Sequence, residues 1–357
     1  MIEPVQEWSW RSRLFAHVEV WRVDTIFYAG LVAVAGAVLA APQEVGIWRL
    51  AGIWVVPTLG WAASLYGGDF FDRDLDAIAK PQRPIPSGRM SPRTAFIGMS
   101  FAIVAGAIIA VVLAPLNIVL VVLAGSLGVA YSKVLKARGM LGNLARGGPT
   151  ALALIIGATS VGADMSPLLL VAALIFWLHD SSSNLVGALC DIDGDSKGGY
   201  RTFPVRHGEM ATIRAVIALN LAWIALAIVL PWWPGGVDAV PFEAMLLPAL
   251  VLAASSVRIL LLAPRPIARL DALRSHERIV IDRLFLPTAL IAGHHEPGVA
   301  LALLVAVLFA TLMGQTMMRT RYEPKRLRAP ARPGGRTAGL ENADTRTPQV
   351  SLPEYRA

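Results

Sequence analysis

Apolar stretches of about 17 to 25 residues, the length a helix needs to cross the hydrocarbon layer of a bilayer, recur along most of this chain. They are read at 25–41, 47–68, 94–113, 115–131, 148–163, 166–189, 212–232, 243–263 and 297–318, with a shorter candidate at 279–293. Composition agrees. Of the 357 residues 55% are hydrophobic and 16% are charged, against about a quarter charged in soluble domains. In lipid, a chain without closed barrel strands satisfies its backbone only inside helices. The expected fold is therefore all-α, a multi-pass transmembrane helical bundle of nine or ten spans.

Charge placement orients such a bundle. About 21 of the 32 Lys and Arg lie in the N-terminal segment and in connections around 69–93, 132–146, 190–214 and 264–283, while the alternate connections carry essentially none. By the positive-inside rule the basic set faces the cytoplasm. The net charge of +7 is thus a topology signal, and nucleic acid is not an expected partner, because no basic patch is interleaved with base-stacking aromatics. The single cysteine, Cys190, excludes an intramolecular disulfide and a multi-thiolate metal site. Residues 1–20 read as an amphipathic cytoplasmic segment without the pattern of a cleaved signal peptide, and 21–318 as the transmembrane domain. Residues 319–357, rich in Pro, Arg and Gly, are expected to be disordered. Their basic residues prefer the cytoplasmic side, which requires ten spans; nine would place the tail outside.

Two acidic segments fall on that same side. The first, GGDFFDRDLDAIAKPQRPIPSGR from Gly67 to Arg89, follows the second span. If the helix continues past Tyr66, a rotation of about 100° per residue brings Asp69, Asp72 and Asp76 within roughly 60° of one another and turns Asp74 away. Crowded carboxylates raise one another's pKa unless a cation compensates, and a set of oxygen ligands with no Cys or His favours a hard ion such as Mg²⁺. The second segment, LCDIDGDSKGGYRTFPVRHG, follows the sixth span. There Asp191 and Asp195 share a helical face and Asp193 points elsewhere.

Together the two clusters suit a Mg²⁺-bridged diphosphate, with Arg83, Arg89, Lys133, Lys136, Lys197, Arg201 and Arg206 available for the phosphate oxygens. Acidic residues at one helix end are usually solvated loop charge, but two clusters on one side with similar following sequence argue for a site. Each basic residue also has a plain topogenic reading, and Tyr131 that of an interfacial anchor. His294 and His295 lie on the opposite side with only Glu296 near them, and His276 and Glu277 are assigned no chemistry.

The first acidic segment resembles the aspartate-rich motif NDxxDxxxD followed by RPIPSGR of the UbiA superfamily of intramembrane prenyltransferases. DIDGDSKGGYRTFPVRHG resembles that family's second motif, and YSKVLKARGMLGNL its connecting segment. The three occur in the family's order and spacing across residues 15–318. The resemblance implies a helical bundle around a central cavity capped by cytoplasmic loops. It further implies that Asp72, Asp76, Asp191 and Asp195, with Asp69 beside them, hold Mg²⁺ and diphosphate. Tyr131, Lys133 and Lys136 fall in the segment that assists. The family's usual Asn before the first Asp is Gly68 here, so one amide ligand is missing.

The implied reaction moves an isoprenyl group from a prenyl diphosphate to a lipophilic or aromatic acceptor, in or at the bilayer, from the cytoplasmic side of a bacterial-type plasma membrane. The RPIPSGR and LGNL forms resemble the branch containing chlorophyll synthases and geranylgeranylglyceryl phosphate synthases more than 4-hydroxybenzoate transferases. Two alternatives stand beside it. Some members of the superfamily cyclise the prenyl diphosphate without an acceptor, using the same motifs. A transporter would instead carry charges near the membrane midplane, whereas these sit at span ends.

Overall fold

The computed structural model describes residues 8–41, 45–294 and 297–322. Within them the chain forms thirteen α-helices and no strand: α1 (Trp10–Trp21), α2 (Tyr28–Ala40), α3 (Ile47–Phe71), α4 (Arg73–Ala79), α5 (Pro92–Leu113), α6 (Asn117–Ala130), α7 (Met140–Ser160), α8 (Pro167–Cys190), α9 (Ile192–Lys197), α10 (Phe203–Val229), α11 (Ala239–Leu262), α12 (Arg269–His294) and α13 (Pro297–Tyr322). The all-α bundle expected from the sequence is thus the observed fold.

Seven of the described helices are long and apolar enough to cross a membrane: α3, α5, α6 with the turns that follow it, α8, α10 with its following turn, α11 and α13. The other three sequence-predicted spans differ from expectation. The stretch 25–41 forms a helix only over Tyr28–Ala40, because residues 22–27 make a turn. The stretch 148–163 is the outer part of α7, whose first two turns carry the polar MLGNLAR. The short candidate 279–293 is the apolar end of the 26-residue α12.

The core forms around α2, whose sequence YAGLVAVAGAVLA is small and apolar on every side, the pattern of a helix surrounded by others. Eleven of its thirteen residues are buried. Small residues let helices approach closely where no water drives them together. A Cβ on Gly157 of α7 would lie 1.8 Å from the Ala33 carbonyl oxygen, and one on Gly36 would lie 2.0 Å from that of Leu154. Large apolar side chains such as Phe101, Val112, Leu262 and Phe309 remain exposed on the outer helices, which is the surface expected against lipid.

Both ends of the bundle are tied by polar side chains. At the end away from the aspartates, the Arg49 guanidinium donates to the Ser160 and Leu113 carbonyls at 2.7 and 2.9 Å, satisfying acceptors that α7 and α5 leave open. At the aspartate end, buried Glu19 of α1 accepts from Arg89, and from Arg321 at 2.7 Å. Arg319 pairs with Glu277. The last turn of α13 is therefore helical and ion-paired over residues 319–322, part of the segment expected from the sequence to be a disordered tail; the remainder of that segment, 323–357, lies outside the described residues. So does His295.

Candidate active site

The two acidic segments are built alike. Each long helix ends at an aspartate with nearly helical backbone, Asp72 at φ −89°, ψ 7° and Asp191 at φ −110°, ψ 7°, and a short second helix follows, α4 or α9. The continuous helix expected past Tyr66 is thus broken at Asp72. The break redistributes the three carboxylates. Asp69 and Asp76, both buried, share the guanidinium of Arg83, whose Nη1 stands 3.3 and 2.6 Å from them. Asp72 turns instead to Lys136, 3.3 Å away. Asp74 and Asp193 are exposed, off the cavity.

Two lysines join the segments to each other. Lys80, from the first segment, reaches Asp191 of the second at 2.9 Å. Lys136, from the turn after α6, lies 3.3 Å from Asp72 and 3.7 Å from Asp195, with its ammonium 4.8 Å from the centre of the Tyr200 ring. All of these carboxylates line one cavity of about 1120 Å³ that runs from the aspartate end into the bundle.

The local fields separate the acids. Burial raises the Asp195 carboxyl, and Lys136 only partly offsets it, leaving it at about 6. Burial also acts to raise Asp191, but Lys80 and Arg269 outweigh it and hold that carboxyl well below the usual range. Asp76 is raised by burial against the pull of Arg83. Lys80 is lowered, chiefly by burial, with Asp191 opposing.

The cationic candidates divide. Arg83, Lys133 and Lys136 line the cavity, Lys133 with its ammonium 5.0 Å from the Phe71 ring centre. Tyr131, in a π-helical turn over Tyr131–Leu135, donates to Asn184 at 3.4 Å. Arg89 lies away from the cavity wall: it is buried against Glu19 and donates to the Gln82 carbonyl at 2.7 Å, so it braces the loop. Lys197, Arg201 and Arg206 are exposed and outside the lining.

The sequence singles out no role for several lining residues. Lys80 and Arg269 pair with Asp191; Arg22 lies 3.9 Å from Asp69; His276 faces Gly187, its Nε2 3.4 Å from where a Cβ there would stand. Deeper in the same cavity lie Arg146, Asp180 and Arg283. The expectation that charge is confined to span ends is therefore incomplete. Gly68 lines the wall with nothing within 4 Å of where a Cβ would stand, so the space the family's Asn would use is open.

Among the described residues no three Asp, Glu, His or Cys side chains converge as a ready metal cage. Each site carboxylate is instead met by Lys or Arg. Hard oxygen donors at helix ends, some partly exposed to the cavity, fit a divalent ion that completes its shell with substrate phosphate oxygens and water, as Mg²⁺ commonly does.

Comparison with known proteins adds an independent line. Residues 29–270 match the model of the UbiA prenyltransferase family. The chain belongs to that family. It is a prenyltransferase, and its relatives include the digeranylgeranylglyceryl phosphate synthases of Methanopyrus kandleri (30% identical, 67% of this chain and 88% of the relative) and Natronomonas pharaonis (33% identical, 57% and 72%). The fold is likewise similar to the solved structure of a digeranylgeranylglyceryl phosphate synthase, at TM-score 0.60 and 20% identity over 79% of this chain and 98% of that one. A UbiA homolog from Archaeoglobus fulgidus bound to GPP and Mg²⁺ is similar at TM-score 0.53 and 15% identity, over 87% and 100%.

Proposed function

We propose that this UbiA-family enzyme moves a geranylgeranyl-type isoprenyl group from its diphosphate to the hydroxyl of a lipophilic acceptor, with Mg²⁺, at the cytoplasmic face of the membrane. The observation that carries the reading is the pair of lysine bridges, Lys80 to Asp191 and Lys136 to Asp72 and Asp195, which bring both acidic segments onto one cavity. The relatives named digeranylgeranylglyceryl phosphate synthase support the prenyl length and the acceptor class. The basic connections on the aspartate side support the orientation. The contacts of Arg319 and Arg321 support a tenth crossing.

Asp69, Asp72, Asp76, Asp191 and Asp195 are the residues that would hold Mg²⁺, which supplies charge neutralisation to the departing diphosphate. The rest of the chemistry belongs to the chain. Lys80, Arg83 and Lys136 lie where they can exchange a carboxylate partner for a phosphate oxygen, and their charge matters most as the C1–O bond breaks and its electron pair stays on the diphosphate. The apolar cavity keeps water from the allylic cation left at C1. The acceptor oxygen then gives an electron pair to C1, and its proton passes to the released diphosphate.

Cyclisation without an acceptor has less support, because the Arg146 guanidinium lies over the Trp61 ring at 4.4 Å and occupies an aromatic face that would otherwise steady a carbocation. The test is mass spectrometry of products from the purified protein, Mg²⁺ and C20 prenyl diphosphate, with and without a prenylglyceryl phosphate. Acceptor-stimulated diphosphate release with a product of combined mass is expected. A cyclic terpene formed at a rate indifferent to the acceptor would overturn the reading.

A further inference from the structure

The deeper end of the cavity carries a charged cluster that the diphosphate chemistry does not use. Asp180 of α8 is 3% exposed and accepts from Thr150 of α7 at 3.0 Å. Two guanidiniums face its carboxylate at 3.7 Å, Arg146 on one oxygen and Arg283 on the other. Neither distance is a direct hydrogen bond. Arg283 is 4% exposed, and among the described residues its Nε and Nη2 have no hydrogen-bond partner; nor has the hydroxyl of Tyr28, whose ring it overlies at 4.6 Å. The adjacent Asp282 is directed elsewhere, onto His179 at 2.6 Å. Arg146 and Arg283 thus share the Asp180 carboxylate, and the open donors of Arg283 are costly to bury in a largely apolar wall.

We propose that Arg146 and Arg283 form a second anion subsite, which holds a phosphate monoester carried by the acceptor. This rests on the prenyl-transfer reading and adds to it the side chains that would hold and select the acceptor's phosphate. Two planar guanidinium forks, with Thr150 and the Tyr28 hydroxyl beside them, match the several oxygens of a phosphate better than a neutral headgroup. Position agrees as well. Asp180 lies eleven residues before Asp191 on the same helix, about 16 Å along its axis at 1.5 Å per residue, so the two anion sites are separate. Asn184, one turn from Asp180, lines the wall between them and accepts from Tyr131. A donor anchored at the aspartates and an acceptor anchored at the arginines meet between the two. A cation at C1 gains from that arrangement, because the acceptor's charge offsets guanidinium charge nearby.

The experiment uses the full chain in lipid nanodiscs and two amphiphiles, a glyceryl ether with one C20 prenyl chain, a free hydroxyl and a phosphate monoester, and the same ether without phosphate. Binding of each is measured without donor, and KM for donor and acceptor in turnover. The wild type is expected to bind the phosphorylated ether at least tenfold tighter. Arg146→Gln and Arg283→Gln should each bring that preference below threefold and raise acceptor KM, with donor KM unchanged. Asp180→Asn, which removes the competing carboxylate, should tighten the phosphorylated ether. Arg146 lies partly open to the cavity, so its variant answers the question even if Arg283→Gln fails to fold. A preference retained in Arg146→Gln overturns the proposal, and so does a rise in donor KM alone, which would assign the arginines to the donor. No preference in the wild type also overturns it. Failure of the wild type to transfer prenyl to either ether would instead count against the reaction, while the binding preference still decides the subsite.

Discussion

Lys136 is where opposite effects on metal binding and on rate should separate. Its ammonium stands 3.3 Å from Asp72 and 3.7 Å from Asp195, with 19% of the side chain exposed. In Lys136→Gln both acids lose this counter-ion while the cavity geometry is kept. Before donor binds, that should favour Mg²⁺. A unit charge about 5 Å from a divalent ion, at an effective dielectric of about 20 to 80, is worth about 1.7 to 6.6 kcal/mol, so Mg²⁺ affinity should rise at least about tenfold. Turnover should move the other way. The departing diphosphate loses a positioned cation in a water-poor site, a loss of about 10²- to 10³-fold in rate by analogy with removal of one oxyanion donor. Titration calorimetry of Mg²⁺ into the donor-free protein and radiolabelled diphosphate release give the two numbers. Weaker Mg²⁺ binding, or a rate within threefold of wild type, would refute the role given to this lysine.

Asp72→Asn and Asp191→Asn should each reduce Mg²⁺-dependent diphosphate release by at least about a hundredfold in protein that remains folded in detergent, whereas Asp74→Asn and Asp193→Asn, whose side chains are exposed, should stay within about threefold; equal loss at all four would contradict the site. Gly157→Leu forces a side chain into the Ala33 carbonyl and should cost at least about 1 to 3 kcal/mol, read as a lower melting temperature in detergent, and an unchanged midpoint would mean the α2–α7 approach is looser than described. In a Cys190→Ser background, Ser196→Cys should react with an impermeant thiol reagent from the cytoplasmic face and Pro234→Cys from the opposite one; labelling of both from one side would contradict the orientation.

The sequence carried the bundle because hydropathy is read locally: each of the long outer helices has its own uninterrupted apolar run. The run failed as a guide at α7 and α12, where polar residues needed inside the bundle interrupt it and packing explains why the helix continues, of α7 against α2 and α8 and of α12 chiefly against α11, with α13, α2 and α8 beside it. The acidic segments were legible from spacing, including the outward turn of Asp74 and Asp193. Their breaks at Asp72 and Asp191 were not, since a residue at ψ near 7° leaves no signature in periodicity. The pairing of Lys80 with Asp191, 111 positions away, and the meeting of Arg146, Asp180 and Arg283 from three helices depend on closure of the whole bundle. Arg89 illustrates the reverse error: a basic residue inside a motif whose charge is already spent on buried Glu19.

Both acidic segments are proposed to hold one metal-bound diphosphate. This is tested most directly by solving the structure with Mn²⁺ and a thiolo analogue of the C20 diphosphate, locating the metal by its anomalous signal. Mn²⁺ is expected between the diphosphate and carboxylates of both segments, Asp72 or Asp76 on one side and Asp191 or Asp195 on the other, with Lys80 and Lys136 moved from carboxylate to phosphate oxygens. Metal held by one segment alone, or a diphosphate bound with both lysines still paired to their aspartates, would contradict it.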